Sequence, residues 1–585
     1  MINTADLVEC RWTREFGGRI GGMPIEREQQ APRRRGRGRA DVHRVLSAVA
    51  VVALLATFRP IWIATTAASP WLGFAFTGCY VAVFVIAVLA LSAGTRRRLA
   101  QCDYAVLALA VAVEAIQLRR VVSTHFRYRV DEGILTRHAL IALRAGHDPY
   151  TLSWPHAIAA APTQLMNVHV VARFDYPPLT LVFGLVAGWI RPGLATPAFV
   201  TGVALLAATV IGFWLLPNDY RPLSVLVFFG VTFDNSHALG GSPVVVAVPF
   251  LLLAFMRWPR LGVGGRLGRR GVVAAVSLGL AMAAQQLTWL IVPFFAVGLL
   301  LVRRAELSRR QAATVVARHL AIAFATFAVV NLPFAVVSPG GWFHGVTAVF
   351  TQHAVLYGPG ISMISGYLTS GSGALAFYSY AALLLYLALL ACFAVGLRRL
   401  GPAMLVLPMI FFLLAIRSED AYYVVFAPVW LLVAATTPPA AFATARPVPL
   451  PRRLRPRSWL SAVSIGGLFV PSLACAVLAA AWPSPLDLRI GSSQSAGADR
   501  ISAVDITAYN SSGHSVSPHF AFVVRAQLGR YWTIVSGPAT VASHQTATYM
   551  LDAPTRAAEI PIGPTVRLDA FADGPQTLSS TTHAW

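Results

Sequence analysis

Asp131 and Glu132 stand side by side in a polar interval, Arg127 to Leu179, that also holds Asp148 and Asp175 with five arginines and four histidines. A carboxylate can take the proton of an attacking hydroxyl, and arginines can steady a departing phosphate through charge-assisted, bidentate contacts. Arg119, Arg120, Arg127 and Arg129 flank the two acids. Because a phosphate ester leaves as a stable anion, such a site needs one base and no general acid, unlike the paired carboxylates of glycoside hydrolysis. Asp131 and Glu132 are both candidates for that base. Adjacent acids beside arginines also form plain surface ion pairs. What weighs against that reading is their place at the edge of an apolar layer, where carboxylates are costly.

Other polar groups are candidate substrate contacts: His147, Asp148 and Tyr150, then Asp175 and Tyr176. Asp148 before Pro149 also suits a turn, and Tyr176-Pro177-Pro178 sets how the chain re-enters the apolar layer. Further along, Asp234-Asn235, Gln285-Gln286 and Arg417-Ser418-Glu419-Asp420 fall at turns on the same face, so Gln285, Gln286, Arg417, Glu419 and Asp420 could line one cavity. Helix capping competes for the first and last of these sets, and turn formation for the glutamines. From Glu132 to Ala145, the residues Ile134, Leu135, His138, Ile141 and Ala142 share one face, which predicts an interfacial amphipathic helix.

The elements that must hold these groups are membrane helices. Of 585 residues, 56% are hydrophobic and only 12% charged, and the mean hydropathy of +0.63 exceeds what a soluble core requires. The net charge of +23 does not imply nucleic acid. The 47 basic residues, all Arg, lie in short clusters between apolar runs, where they set orientation. Cys10, Cys79, Cys102, Cys392 and Cys475 are scattered, with neither metal-ligand spacing nor a disulfide framework.

Apolar segments recur near 45–67, 71–93, 103–122, 196–216, 222–235 and 242–257, twice within 271–302, and near 313–337, 375–397, 402–416, 421–437 and 459–482. A helix needs roughly 20 residues to cross a bilayer. The segment at 177–190 is short enough to dip and return, and that choice keeps the arginines from Arg257 to Arg270 cytoplasmic, as the charge rule prefers. The expected organisation is a disordered basic cytoplasmic tail over 1–44, a mainly α, multi-pass bundle over 45–485 with its loop 123–176 outside, and an extracytoplasmic β-sandwich over 486–585. The runs VDITAYN, HFAFVVRA, YWTIVS, TATYML and VRLDAF carry that last assignment. Tyr531 and Trp532 there could bind glycan or pack the core.

Asp131 in the first outer loop, an amphipathic helix, Gly146, Asp148, Pro149 and Tyr150 as G-x-D-P-Y, and Tyr176-Pro177-Pro178-Leu179 heading a short apolar segment together resemble the GT-C membrane glycosyltransferases. Over residues 100–440 the pattern is most similar to the family-87 polyprenyl-phosphate-mannose-dependent mannosyltransferases. The resemblance implies a GT-C fold and an inverting transfer of a sugar, mannose foremost, from a polyprenyl-phosphate donor to a lipid or cell-wall glycan acceptor outside the cell membrane. It also implies Asp131 as base. Two departures stand out: Glu132-Gly133 follows Asp131 where an apolar residue and a nearby tyrosine are usual, which keeps Glu132 open as base. Gln285-Gln286 stands where a basic residue is common, which leaves the phosphate to arginines elsewhere. Mg²⁺ or Mn²⁺ could share that phosphate charge with Arg. The competing classes are a transporter or flippase of lipid-linked sugars, which needs polar residues running through the spans, and a non-enzymatic envelope assembly protein that recruits partners through the sandwich.

Overall fold

The computed structural model describes residues 32–123, 128, 130–159, 162–448, 466–495 and 499–585. Its first helix runs Pro32–Ala68, so the tail expected to reach residue 44 is shorter: the chain is helical from Pro32. The reason is a buried polar tie. His43 Nε2 lies 2.8 Å from Asp103 Oδ2, and Ser47 Oγ donates to Asp103 Oδ1 at 2.7 Å, which anchors this helix to Arg96–Ser123. The rest of the expected tail, residues 1–31, lies outside the described residues.

Among the described residues six helices are long and apolar enough to cross a membrane: Asp41–Ala67, Arg96–Ser123, Pro197–Leu215, Gln286–Arg303, Arg309–Val337 and Ala376–Ala403. Shorter apolar helices fill in between them. Phe74, Val88 and Leu89 on one outer helix and Val329, Leu332 and Val336 on another are exposed, as side chains that face hydrocarbon can be. The bundle has two chemically distinct ends. At one, arginines reach the carbonyls that close helices: Arg44 Nε to Ala93 O at 2.9 Å, Arg257 Nη2 to Leu215 O at 3.0 Å, and Arg270 Nη2 to Met256 O at 2.8 Å. These carbonyls have no partner within their own helices and carry the negative end of the helix dipole, so a guanidinium suits them. The carboxylates of the 131–175 interval gather at the other end.

Helix Leu179–Ile190 is short. Its 12 residues extend about 18 Å, well short of the roughly 30 Å of a hydrocarbon core. It runs alongside helix Asp131–Arg144, with Gly184 against Leu140 and Gly188 near Arg144. It finishes where Gly193 meets Val122, close to the end of Arg96–Ser123. It therefore starts and ends at the carboxylate end, the geometry expected of a segment that dips and returns. Two expected α-helical spans are built differently. The one near 222–235 is a broken passage of helix Pro222–Val225, a π turn Leu226–Gly230 and helix Thr232–Gly240. The one near 402–416 is 3-10 over Gly401–Ala403 and Leu407–Leu414, whose rise of about 2.0 Å per residue carries a short segment further than an α-helix would. Of the last expected span, helix Val470–Ala481 is described, and 459–465 lie outside the described residues.

The C-terminal region is two antiparallel sheets. One orders β1 (Gly371–Ser372), β10 (Gln576–His583), β9 (Val566–Asp573), β4 (His519–Val524) and β5 (Gln527–Tyr531). The other orders β2 (Leu486–Ser495), β3 (Arg500–Asn510), β7 (Thr546–Asp552) and β6 (Thr533–Ser536), with β8 (Ile560–Pro561) on β3. Ile506, Phe520, Phe522, Trp532, Tyr549 and Leu568 meet between them. The 486–585 boundary needs amending, because β1 comes from the loop between two apolar helices. Gly371 and Ser372 pair with Ser579 and Leu578, covering part of an edge that would otherwise be open.

Candidate active site

Helix Asp131–Arg144 opens on the two acids. Asp131 Oδ1 accepts from the Glu132 amide at 2.9 Å, and Oδ2 accepts from the Thr163 hydroxyl. Thr163 Oγ1 in turn accepts from Arg417 Nη2 at 3.0 Å, and the same guanidinium pairs with Glu419 and lies 5.4 Å over the Tyr357 ring. An Arg–Thr–Asp relay thus joins cation to carboxylate. Gly133 makes the arrangement possible: a Cβ there would stand 1.9 Å from the Gly240 carbonyl. The glycine that follows Glu132 therefore has a packing cause, since only glycine lets this helix lie against that backbone.

A pocket of about 300 Å³ is lined by Asp131, Glu132, Thr163, His237, Arg417 and Glu419, and β5 supplies Leu528 to its wall. Next to it an apolar hollow of about 830 Å³ runs between Leu287, Pro293, Leu383, Tyr386 and Phe411. Arg417 lines both. Burial, then the charges of Glu419 and Asp131, push the Glu132 carboxyl up to about 8. Burial, then Asp131 and Glu132, push Asp175 well above the usual carboxylate range. Burial works against the Arg417 charge, but Glu419 foremost outweighs it and holds its pKa above the ordinary value.

Of the residues expected in the site, Asp131, Glu132, Arg417, Glu419 and Asp420 line the pocket. Asp175 is close enough for their charges to act on it. Asp420 also caps the next turn through the Ala421 amide at 2.9 Å. Gln286 donates from its side chain to the Asp175 carbonyl, while Gln285 accepts from the Gln286 amide at 2.8 Å. The pair thus makes a turn and also holds in place the irregular segment that leads into helix Leu179–Ile190. The remaining residues stand apart from the pocket wall or lie outside the described residues. Arg119 and Arg120 are exposed at the end of their helix and His147 is exposed beyond its own; none of them lines either cavity. Asp148 shapes a turn by accepting from the Tyr150 amide at 3.0 Å. Tyr150 is buried against Phe174 and Phe334 and donates to the Tyr176 carbonyl at 2.7 Å. It packs, as does Tyr176 against Phe174. Arg127 and Arg129 lie outside the described residues. Asp234 and Asn235 belong to helix Thr232–Gly240 and not to a turn, with Asn235 accepting from Gln117 at 3.1 Å inside the bundle.

No known protein family, curated protein or solved structure matches the chain. The site must therefore be judged on its own chemistry. Thr163 and Leu528 were not foreseen, and no sequence signal marks them: one is a loop threonine, the other comes from another domain. Tyr531 donates to the Leu165 carbonyl at 3.0 Å, and Trp532 packs on Phe522, so both aromatics serve packing. Among the described residues no three His, Cys, Asp or Glu side chains converge at metal-holding distance. Among the described residues of the pocket wall, the guanidinium is that of Arg417.

Proposed function

We propose that the protein is an integral-membrane glycosyltransferase that moves a sugar, mannose foremost, from a polyprenyl-phosphate donor to a glycan or lipid acceptor on the extracytoplasmic side. The observation that carries this reading is the double position of Arg417, in the wall of a carboxylate pocket and of a large apolar hollow at once. A prenyl chain suits the hollow, and its phosphate would then rest against the guanidinium. Asp131 takes the proton of the acceptor hydroxyl, the hydroxyl oxygen bonds the anomeric carbon, and the carbon–oxygen bond to phosphate breaks. Prenyl phosphate leaves with the electron pair, facing Arg417. Glu132 and Asp175 retain protons to higher pH and so serve as hydrogen-bond donors more readily than as bases. The arginine clusters at the opposite end support a cytoplasmic location for that end under the charge rule.

The test supplies purified protein in nanodiscs with labelled polyprenyl-phosphate mannose and a glycan acceptor. Transfer by the wild-type chain and its loss in Asp131→Asn support the reading; full transfer by Asp131→Asn removes the mechanism. A flippase reading draws on one observation, the buried Glu114, Gln117 and Asn235 inside the bundle. Movement of a fluorescent lipid-linked sugar across vesicles without any transfer would favour it.

A further inference from the structure

A second cleft opens beside Asp175. The loop from Leu165 to Asp175, helix Pro339–Thr351 and the end of β9 enclose about 670 Å³, within the ~300–1,000 Å³ range of ligand sites. Asn167, His169, Arg173, His344, Gln352 and Asp573 give it a polar wall. Asp175 lines it too; that side chain is only 6% exposed, and its Oδ1 has no hydrogen-bond partner. Residues 351–353 bound both this cleft and the apolar hollow, so the two cavities share one thin wall.

We propose that this cleft binds the acceptor as a short neutral oligosaccharide, entering between the first outer loop and the sandwich, with its terminal hydroxyl directed toward Asp175 and the carboxylate pocket. The proposal rests on the glycosyl-transfer reading and names the acceptor class for it. Charge selects the ligand. Among the described residues the wall carries a single guanidinium, Arg173, offset by Asp573, while Asp175 keeps its proton, so an anionic chain finds no net positive charge where a neutral one finds donors and acceptors in amide and imidazole groups. The sandwich gains a purpose in this arrangement. Asp573 pairs with His353 Nδ1, and Gln164 holds β5 through the Gly529 carbonyl at 2.8 Å and the Tyr531 amide at 3.0 Å. The β domain is thereby a fixed wall of the cleft.

The experiment uses full-length protein in nanodiscs and three probes: a fluorescent neutral mannotetraose, its sulfated counterpart and a short prenyl phosphate. Ala348 lines the cleft, so Ala348→Trp fills it, and His344→Ala removes an exposed polar contact with little risk to folding. The expected result is that the neutral tetrasaccharide binds, the sulfated one binds at least tenfold more weakly, Ala348→Trp weakens the neutral one at least tenfold and His344→Ala several-fold, and prenyl phosphate is unaffected. Unchanged tetrasaccharide affinity in both variants, tighter binding of the sulfated probe, or loss of prenyl phosphate in place of saccharide would overturn the proposal. If the wild-type protein ignores both saccharides yet consumes polyprenyl-phosphate mannose, the cleft assignment falls and the transferase reading stands. If it binds the neutral probe in this cleft but consumes no donor, the cleft stands as a saccharide site and the transferase reading falls.

Discussion

The two ends of the bundle handle charge in opposite ways. At the basic end Arg44, Arg257 and Arg270 meet helix-terminal carbonyls, and their charge is spent on completing backbone hydrogen bonds. At the acidic end, carboxylates crowd together with one guanidinium among the described residues of the pocket wall, Arg417, and at least one oxygen, Asp175 Oδ1, stays without a partner. The three arginines at the first end are satisfied within the fold, although Nε of Arg221 and of Arg303 is buried without a partner. Groups at the second hold raised pKa values and unused hydrogen-bonding capacity, the condition in which a site can act on something else.

The comparison breaks most visibly at Asp131. Asp131→Asn is expected to lower transfer by about 10²–10⁴-fold, the usual contribution of a general base, read as turnover on labelled donor. Arg417→Ala should cost about 10²–10³-fold through lost charge stabilisation, with Arg417→Lys recovering part of it. Gly133→Ala drives a Cβ into the Gly240 carbonyl and should destabilise by about 1–3 kcal/mol, seen as a lower Tm and reduced turnover together. Glu132 offers a pH test. Its folded pKa is raised from 4.5 to about 8, so its contribution to stability is full below the unfolded value and is lost as pH rises through the folded one. Glu132→Gln should flatten the fall of Tm over that window, and an unchanged slope would refute the burial argument. The smallest effect belongs to the basic end: Arg398 donates to the Ala445 carbonyl at 3.0 Å, and Arg398→Gln should lower stability by about 1 kcal/mol with turnover unaltered.

Much of the architecture was legible. Apolar length and arginine placement located the apolar segments, the break at Gln285-Gln286 and the short helix Leu179–Ile190, because hydropathy over a span is a local sum. Strand runs such as HFAFVVRA and TATYML appear within β4 and β7. The tail boundary was misjudged because an arginine-rich segment reads as disordered until His43 and Ser47 find Asp103, some sixty residues away. The site was half legible. Asp131 and Glu132 stood out by type, but Arg119 and Arg120 were nominated by proximity in sequence, while the guanidinium that reaches the acids is nearly 300 residues downstream.

Composition and periodicity alone determined that the chain is a helical, membrane-compatible bundle with a β-rich end, since burial of apolar surface depends on what each segment is made of. Which cation faces which carboxylate, where the hollow beside them lies, and that the C-terminal domain walls the pocket were decided by tertiary structure. Those pairings are set by how helices of unequal length and pitch pack together, and no local pattern encodes the distance between two loops that meet only after the bundle has closed.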